Sequence, residues 1–181
     1  MAGQWTGTIV IAALLVLGSA ADATAQRFGL QASYADDTDF GVGGRVEIPL
    51  ALSDAGVLSR TFAAGSFDWF FPDCETFVGL GNTEIDCSYW EINANLAVPF
   101  TVAASVTPYA GAGLNVAHIS ISAEDEIGDF DDSQTEIGAN LLGGVRFPLG
   151  GLSMYAEARA ELGGGEQFVI TVGLLLGGNG R

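Results

Sequence analysis

The single histidine of the chain lies in the phrase His118-Ile119-Ser120. In an extended strand residues i and i+2 share a face, so the imidazole could serve as a general base toward the serine hydroxyl. Such a pair needs a third group to orient the base, and no residue is identified for that role. The plainer reading, a lone histidine near the end of a strand, is preferred. A second set of candidates is acidic. Glu124-Asp125-Glu126 and Asp129-Phe130-Asp131-Asp132 offer hard oxygen ligands of the kind Ca²⁺ and Mg²⁺ take. They lack the D-x-[DN]-x-[DN]-G spacing of an EF-hand loop, so a solvated acidic loop is favoured over a divalent-cation site. Cys74 and Cys87 stand at the stems of a third segment, Pro72–Asp86, with no histidine nearby. Zinc is not indicated. In an exported chain the two are expected to form a disulfide, worth on the order of 3 kcal/mol in the chain-entropy model.

The charges are distributed unevenly. The chain has 22 Asp and Glu against six arginines, with no lysine, for a formal net charge of −16. Acids gather in four segments: Asp36, Asp37 and Asp39; Asp73, Glu75, Glu84 and Asp86; Glu124 to Asp132; and Glu166. None of these segments carries a cation, and the turns between them hold only Asp54. Such a surface repels nucleic-acid phosphates. The other carboxylates, Glu47, Asp68, Glu91, Glu136, Glu157 and Glu161, accompany Arg27, Arg45, Arg60, Arg146 and Arg159. These residues belong to the polar faces of alternating segments.

The clearest such segment is Ser88–Phe100. Trp90, Ile92, Ala94, Leu96, Val98 and Phe100 alternate with Glu91, Asn93, Asn95 and Ala97. Period two is the signature of a strand between two environments. Segments 40–50, 136–147, 154–162 and 168–176 repeat it, and 27–34, 60–71 and 106–122 repeat it more weakly. The sequence thus predicts eight antiparallel strands in a closed up-and-down transmembrane barrel, with Trp90, Leu96 and Phe147 outward and Glu91, Asn95 and Arg146 inward. A lipid-facing arginine at mid-membrane would cost about 2–4 kcal/mol. The interior of an eight-stranded barrel is about filled by side chains, and charges buried there must be paired. The expected result is an ion-pair network in the lumen, with Arg45, Arg146 and Arg159 set against Glu47, Glu91 and Glu157.

Composition agrees with this reading. The chain is 49% hydrophobic, only 15% charged, and has a mean hydropathy of +0.35. Past the first 25 residues no run of 18 apolar residues occurs, so no spanning helix is predicted. Alternation hides the hydrophobicity of a barrel from such a test. The N-terminal apolar run Thr8–Gly18 and the phrase Ala23-Thr24-Ala25 read as a secretory signal peptide over 1–25, cleaved after Ala25. The barrel domain would be 26–181, with both ends on the periplasmic side and the acidic tips outside.

The mature segment resembles the small outer-membrane β-barrel superfamily, the OmpA transmembrane domain and OmpX type, with OmpW as a cousin. The resemblance covers Gln26–Gly178. It rests on the strand alternation and on phrases such as Thr107-Pro108-Tyr109-Ala110-Gly111-Ala112-Gly113 and Gly143-Gly144-Val145-Arg146-Phe147. It implies an eight-stranded up-and-down barrel, a signal peptide and outer-membrane insertion, with outer-membrane lipid as the surrounding partner; the residues indicate no cofactor. It does not imply one activity. Two departures stand out. Such barrels usually end on an aromatic residue, whereas this chain ends Leu174-Leu175-Leu176-Gly177-Gly178-Asn179-Gly180-Arg181. Barrels of this size that deacylate lipid A follow their His-x-Ser with Asn, where this chain has Ile121. The preferred function is a non-enzymatic, monomeric surface barrel with a structural or interaction role. A narrow channel is the alternative, because Gly29, Gly41, Gly43, Gly111, Gly113, Gly138 and Gly144 would leave room on the polar faces. A lipid A deacylase is less favoured still.

Overall fold

A computed structural model describes residues 26–50, 52, 56–73, 84–102, 105–125 and 128–177. The strands are β1 (Arg27–Ala35), β2 (Asp39–Pro49), β3 (Phe62–Phe70), β4 (Glu84–Pro99), β5 (Thr107–Asp125), β6 (Gly128–Leu149), β7 (Leu152–Leu162) and β8 (Phe168–Gly177). Each pairs antiparallel with its sequence neighbour, and β1 pairs with β8, so the sheet closes on itself. Closure leaves no sheet edge at the barrel's waist. Both ends of the described chain lie at one end of the barrel, here called the terminal end. The β1–β2, β3–β4, β5–β6 and β7–β8 connections lie at the other, distal end.

Alternation decides what each wall faces. Phe28, Leu30, Tyr34, Phe40, Val42, Phe67, Trp69, Leu96, Leu114, Leu141, Phe168, Ile170, Val172, Leu174 and Leu176 are exposed on the outside. Between them Gln31, Ser33, Arg45, Glu47, Asp68, Glu91, Asn93, Asn95, Asn115, Asn140, Glu157 and Arg159 are buried inside. Two apolar layers close the interior. Ala35, Phe70, Tyr89, Ala117 and Val169 pack together at the distal end. Phe62, Ala64, Ala97, Tyr109 and Leu142 do so at the terminal end.

The distal connections differ from the sequence expectation. The sequence places loops over Pro72–Asp86 and Glu124–Gln134, yet Glu84 and Asp86 are already in β4. β5 runs to Asp125, and β6 starts at Gly128. The last β3–β4 pair is Phe70 with Tyr89, and the last β6–β7 pair is Ala139 with Leu162. Beyond them, among the described residues, β4, β5 and β6 pair only with one another, out to Glu84–Glu124 and Asp125–Gly128. They form a three-stranded ribbon whose β5 strand projects roughly 25 Å. Hairpin pairing wins over loop because β5 and β6 share a continuous ladder to Asp125–Gly128, and cross-strand partners pair even between polar residues, Ser122 donating to Asp131 at 2.7 Å.

Candidate functional site

The lumen holds two ion-pair tiers with an amide layer between them. In the terminal tier Arg45 Nε lies 3.0 Å from Glu47 Oε1, and its Nη1 lies 2.9 Å from Glu157 Oε2. Arg146 Nη2 reaches Glu47 Oε2 at 2.7 Å, and Arg27 Nη1 stands 3.8 Å from the same oxygen. The Tyr109 hydroxyl donates to Glu157 at 2.9 Å. Aromatic faces complete the cage. The Arg45 guanidinium lies 4.6 Å from the Tyr155 ring centre, and that of Arg146 lies 4.5 Å from the Phe62 ring centre. Such cation–π contacts strengthen as water is excluded.

In the distal tier one arginine serves two carboxylates. Arg159 Nε lies 2.6 Å from Glu161 Oε1, and its Nη2 lies 3.0 Å from Glu91 Oε2. Glu91 is 0% exposed and Arg159 2%. Their free oxygens are held by neutral donors. Tyr89 donates to Glu91 at 2.8 Å, and Gln167 Nε2 bridges Glu91 at 2.6 Å and Glu161 at 3.1 Å. Thr38 in turn donates to Gln167 Oε1 at 3.0 Å. Gln167 follows Gly163, Gly164 and Gly165, all three at positive φ. That conformation is open to glycine at little cost, and it folds the β7–β8 connection inward over the mouth.

Asp68 and four asparagines fill the space between the tiers. Asp68 accepts from Gln31 at 2.6 Å, Ser33 at 3.1 Å and Ser66 at 3.2 Å. Tyr155 donates to Gln31, and Asn140 Nδ2 donates to Asn93 and Asn95. The interior glycines do not leave this space open. A Cβ at Gly173 would fall 2.5 Å from the Tyr155 ring, and one at Gly144 would fall 2.5 Å from Tyr109. Phe70, Asp68, Asn95 and Asn115 occupy the corresponding space at Gly41, Gly43, Gly113 and Gly138.

The structure therefore brings together Arg27, Arg45, Glu47, Glu91, Arg146, Glu157, Arg159 and Glu161. It leaves out three residues expected beside them. Asp68 is in the lumen but held by neutral donors, with no cation in ion-pair range among the described residues. Arg60 lies in a short 3-10 turn, Val57–Arg60, and donates to Thr101 at 2.5 Å outside the barrel. Its strand starts two residues later than the sequence suggests, so alternation does not govern it. Glu136 lies past the rim on β6 and accepts from Gln134. Conversely, the sequence does not single out Gln31, Tyr89, Tyr109 and Gln167 as site residues. Lumen-side parity could have found the first three. Nothing local marks Gln167, which precedes its strand.

The catalytic and metal candidates fare differently. His118 Nδ1 is 2.7 Å from Thr135 Oγ1, and the ring stacks on Trp90 with centres 5.0 Å apart. No described hydrogen bond links it to Ser120. Glu126 lies outside the described residues, as do the side chains of Glu124, Asp125 and Asp129. Asp131 accepts from Ser122 at 2.7 Å, and Asp132 is exposed. Among the described residues no three His, Cys, Asp or Glu side chains gather to hold a metal ion. Cys87 is not a free thiol, while Cys74 lies outside the described residues, as does the expected signal peptide over 1–25.

No protein-family model matches the chain, and no curated protein sequence matches it. Solved structures do. The N-terminal β-barrel domain of Pseudomonas aeruginosa OprF aligns at a TM-score of 0.53 and 17% identity, over 83% of this chain and 97% of that one. Neisserial surface protein A gives 0.52 and 16%, over 84% and 95%. A major outer membrane protein from Thermus thermophilus gives 0.55 and 12%, over 84% and 99%. The chain has the closed eight-stranded barrel fold that these outer-membrane proteins share.

Proposed function

We propose that the chain is a non-enzymatic barrel of the bacterial outer membrane, closed to solutes, that presents an acidic ribbon at the cell surface. The carrying observation is the pairing of an apolar outer wall on all sides with a lumen filled by ion pairs. So continuous an exposed apolar belt is unsuited to water, and a spanning barrel satisfies its backbone internally. The distal end is the cell surface and the terminal end the periplasm. A signal peptide cleaved after Ala25 delivers the chain, and Cys74–Cys87 is a disulfide at the base of the β3–β4 connection. The protein works as a monomer surrounded by outer-membrane lipid, with divalent cations as screening partners of the acidic surface and nucleic acid repelled. Fractionation followed by a heat-modifiability gel tests compartment and barrel together. A soluble, unshifted product would overturn the proposal. Mass spectrometry tests the bridge, which fails if both thiols are alkylated without reductant.

The lumen works as a locked plug. Opposite charges at 2.6–3.0 Å attract strongly in a low dielectric, and a water path would have to part them. The channel alternative is weakened by the side chains that occupy the glycine spaces. Planar-bilayer recording should give near-zero conductance from the purified monomer, with small openings appearing in Arg146→Ala. Large ohmic conductance from the unaltered protein would restore the channel.

A further inference from the structure

We propose that a groove on the outer wall, near the terminal end of the barrel, holds one acyl chain of an anionic phospholipid whose phosphate sits at Arg60. The inference rests on the membrane-barrel reading above and adds a fixed lipid site to it. Its first ground is the shape of the wall. Register sets Phe28, Val46, Gly65 and Ala94 side by side across β1 to β4, and Ile48, Ala63 and Leu96 in the next outward row toward the terminal end. Small side chains thus lie between large ones. Phe28 and Leu96 stand out at 55% and 51% exposed, while Ile48 and Ala63 lie low at 7% and 8%. The groove these residues line has a volume of about 570 Å³, within the roughly 300–1,000 Å³ of small-ligand sites. A second depression at Gly44, Phe67 and Ile92 continues it, sharing Val46 and Gly65. Packing does not dictate glycine at Gly44. A Cβ there would meet nothing nearer than 3.7 Å, whereas one at the inward Gly43 would clash with the Phe67 carbonyl and Asp68. From Ala63 to Phe67 the groove runs roughly 13 Å along β3, close to the about 15 Å of hydrocarbon in one leaflet.

The second ground is charge, which selects the occupant. Ala63 and Leu96 are cross-strand partners. Arg60 precedes β3, Thr101 follows β4, and Arg60 Nη1 donates to Thr101. The guanidinium therefore crosses the terminal end of the same strand pair. Arg60 is exposed, as are its chain neighbours Leu58 and, beside Thr101, Phe100. Among the described residues no carboxylate lies in ion-pair range of Arg60. Thr101 takes one of the five guanidinium N–H donors, and the rest of the planar fork suits a phosphate. A zwitterionic headgroup brings its own cation to that phosphate, and an anionic one does not. An apolar groove with a cation at its end thus selects an anionic phospholipid. A second copy of this chain fits less well, because the lining of the groove falls short of the about 20–30 residues a side of a stable protein interface.

The test places the full barrel in phosphatidylcholine nanodiscs with a small share of phosphatidylglycerol carrying a diazirine in its acyl chain. Crosslinks are mapped by peptide mass spectrometry. Labelling should concentrate on 44–48, 63–67 and 92–96 at least about fivefold over the β6 wall at 139–145. Ala94→Phe fills the groove and should lower that labelling at least about fivefold. Ala139→Phe, the same change at an exposed site elsewhere on the outer wall, should leave it within about twofold. Arg60→Ala should abolish the preference for phosphatidylglycerol over phosphatidylcholine bearing the same diazirine chain, and Arg60→Lys should keep most of it. Even labelling around the wall would overturn the proposal, as would labelling indifferent to Ala94→Phe, equal labelling by the two lipids, or barrel-to-barrel crosslinks through the groove. A heat-modifiability gel on the same nanodiscs separates the two failures. A chain that does not fold into the bilayer defeats the membrane reading, and a folded barrel labelled evenly defeats the groove alone.

Discussion

The two ion-pair tiers solve the same problem with opposite balances. The terminal tier sets Arg27, Arg45 and Arg146 around Glu47 and Glu157. The distal tier sets Arg159 alone against Glu91 and Glu161, with Asp68 also buried nearby. The cation-rich tier stacks its surplus guanidinium groups on aromatic rings. The acid-rich tier satisfies its surplus oxygens with the neutral donors Tyr89, Gln167, Gln31 and Ser33. The difference teaches that redundancy, not the number of ion pairs, decides how a tier tolerates loss. Removing one partner of a buried pair leaves an uncompensated charge in a medium that solvates it poorly.

The comparison ranks the substitutions. Arg159→Met should have the largest effect, destabilising the folded barrel by about 3–5 kcal/mol, because both Glu91 and Glu161 lose their only cation in ion-pair range among the described residues. Urea unfolding in micelles, followed by the shift between folded and unfolded gel bands, measures it. Arg45→Met should cost less, about 3 kcal/mol, the low end of that range, because Glu47 keeps Arg146 and Arg27 and Glu157 alone loses its one cation in ion-pair range among the described residues. Equal losses at the two arginines would remove the distinction between the tiers. Gln167→Leu should rank next at about 1–3 kcal/mol, since it strips a neutral donor from two buried carboxylates. A loss below that of an exposed control would show that Tyr89 and Asn115, whose Nδ2 donates to Glu161 at 3.3 Å, suffice. Arg60→Ala provides that control. It lies outside both tiers, and its cost should stay within about 0.5 kcal/mol.

The barrel and its ribbon also read one pattern in two ways. Within the barrel, lumen parity is polar and the outer wall apolar, as Glu91 and Trp90 or Asn115 and Leu114 show. On the ribbon the same parity brings Cys87, Ile119 and Ile121 to the inner side and Asp86, Ser120 and Ser122 to the outer. Ile119 packs on the apolar layer formed by Phe70, Tyr89, Ala117 and Val169. The change falls at the stacked Trp90 and His118, where lipid gives way to water in the proposed orientation. His118 is thus part of a boundary, held by Thr135, and the polar outer face beyond it follows from solvation.

Sequence alone determined the strand number, the closed barrel and the inward set Glu47, Glu91, Arg146, Glu157 and Arg159, because a strand's period is two and lipid and lumen punish opposite residue types. It could not decide where pairing stops. β5 and β6 remain strand through Asp125 and Gly128 because adjacent chains can share a ladder even where the residues are polar enough for a loop. Nor could it say which carboxylate each arginine serves. Arg45 with Glu157 and Arg159 with Glu91 are joined across the barrel, and such partners are set by closure and stagger, which fix the height of each strand against the others. Asp68 and Gln167 owe their roles to that same height. Asp68 sits where Gln31 and Ser33 reach it first. Gln167 acts in the distal tier because three glycines turn its connection inward, a direction that only the folded barrel supplies.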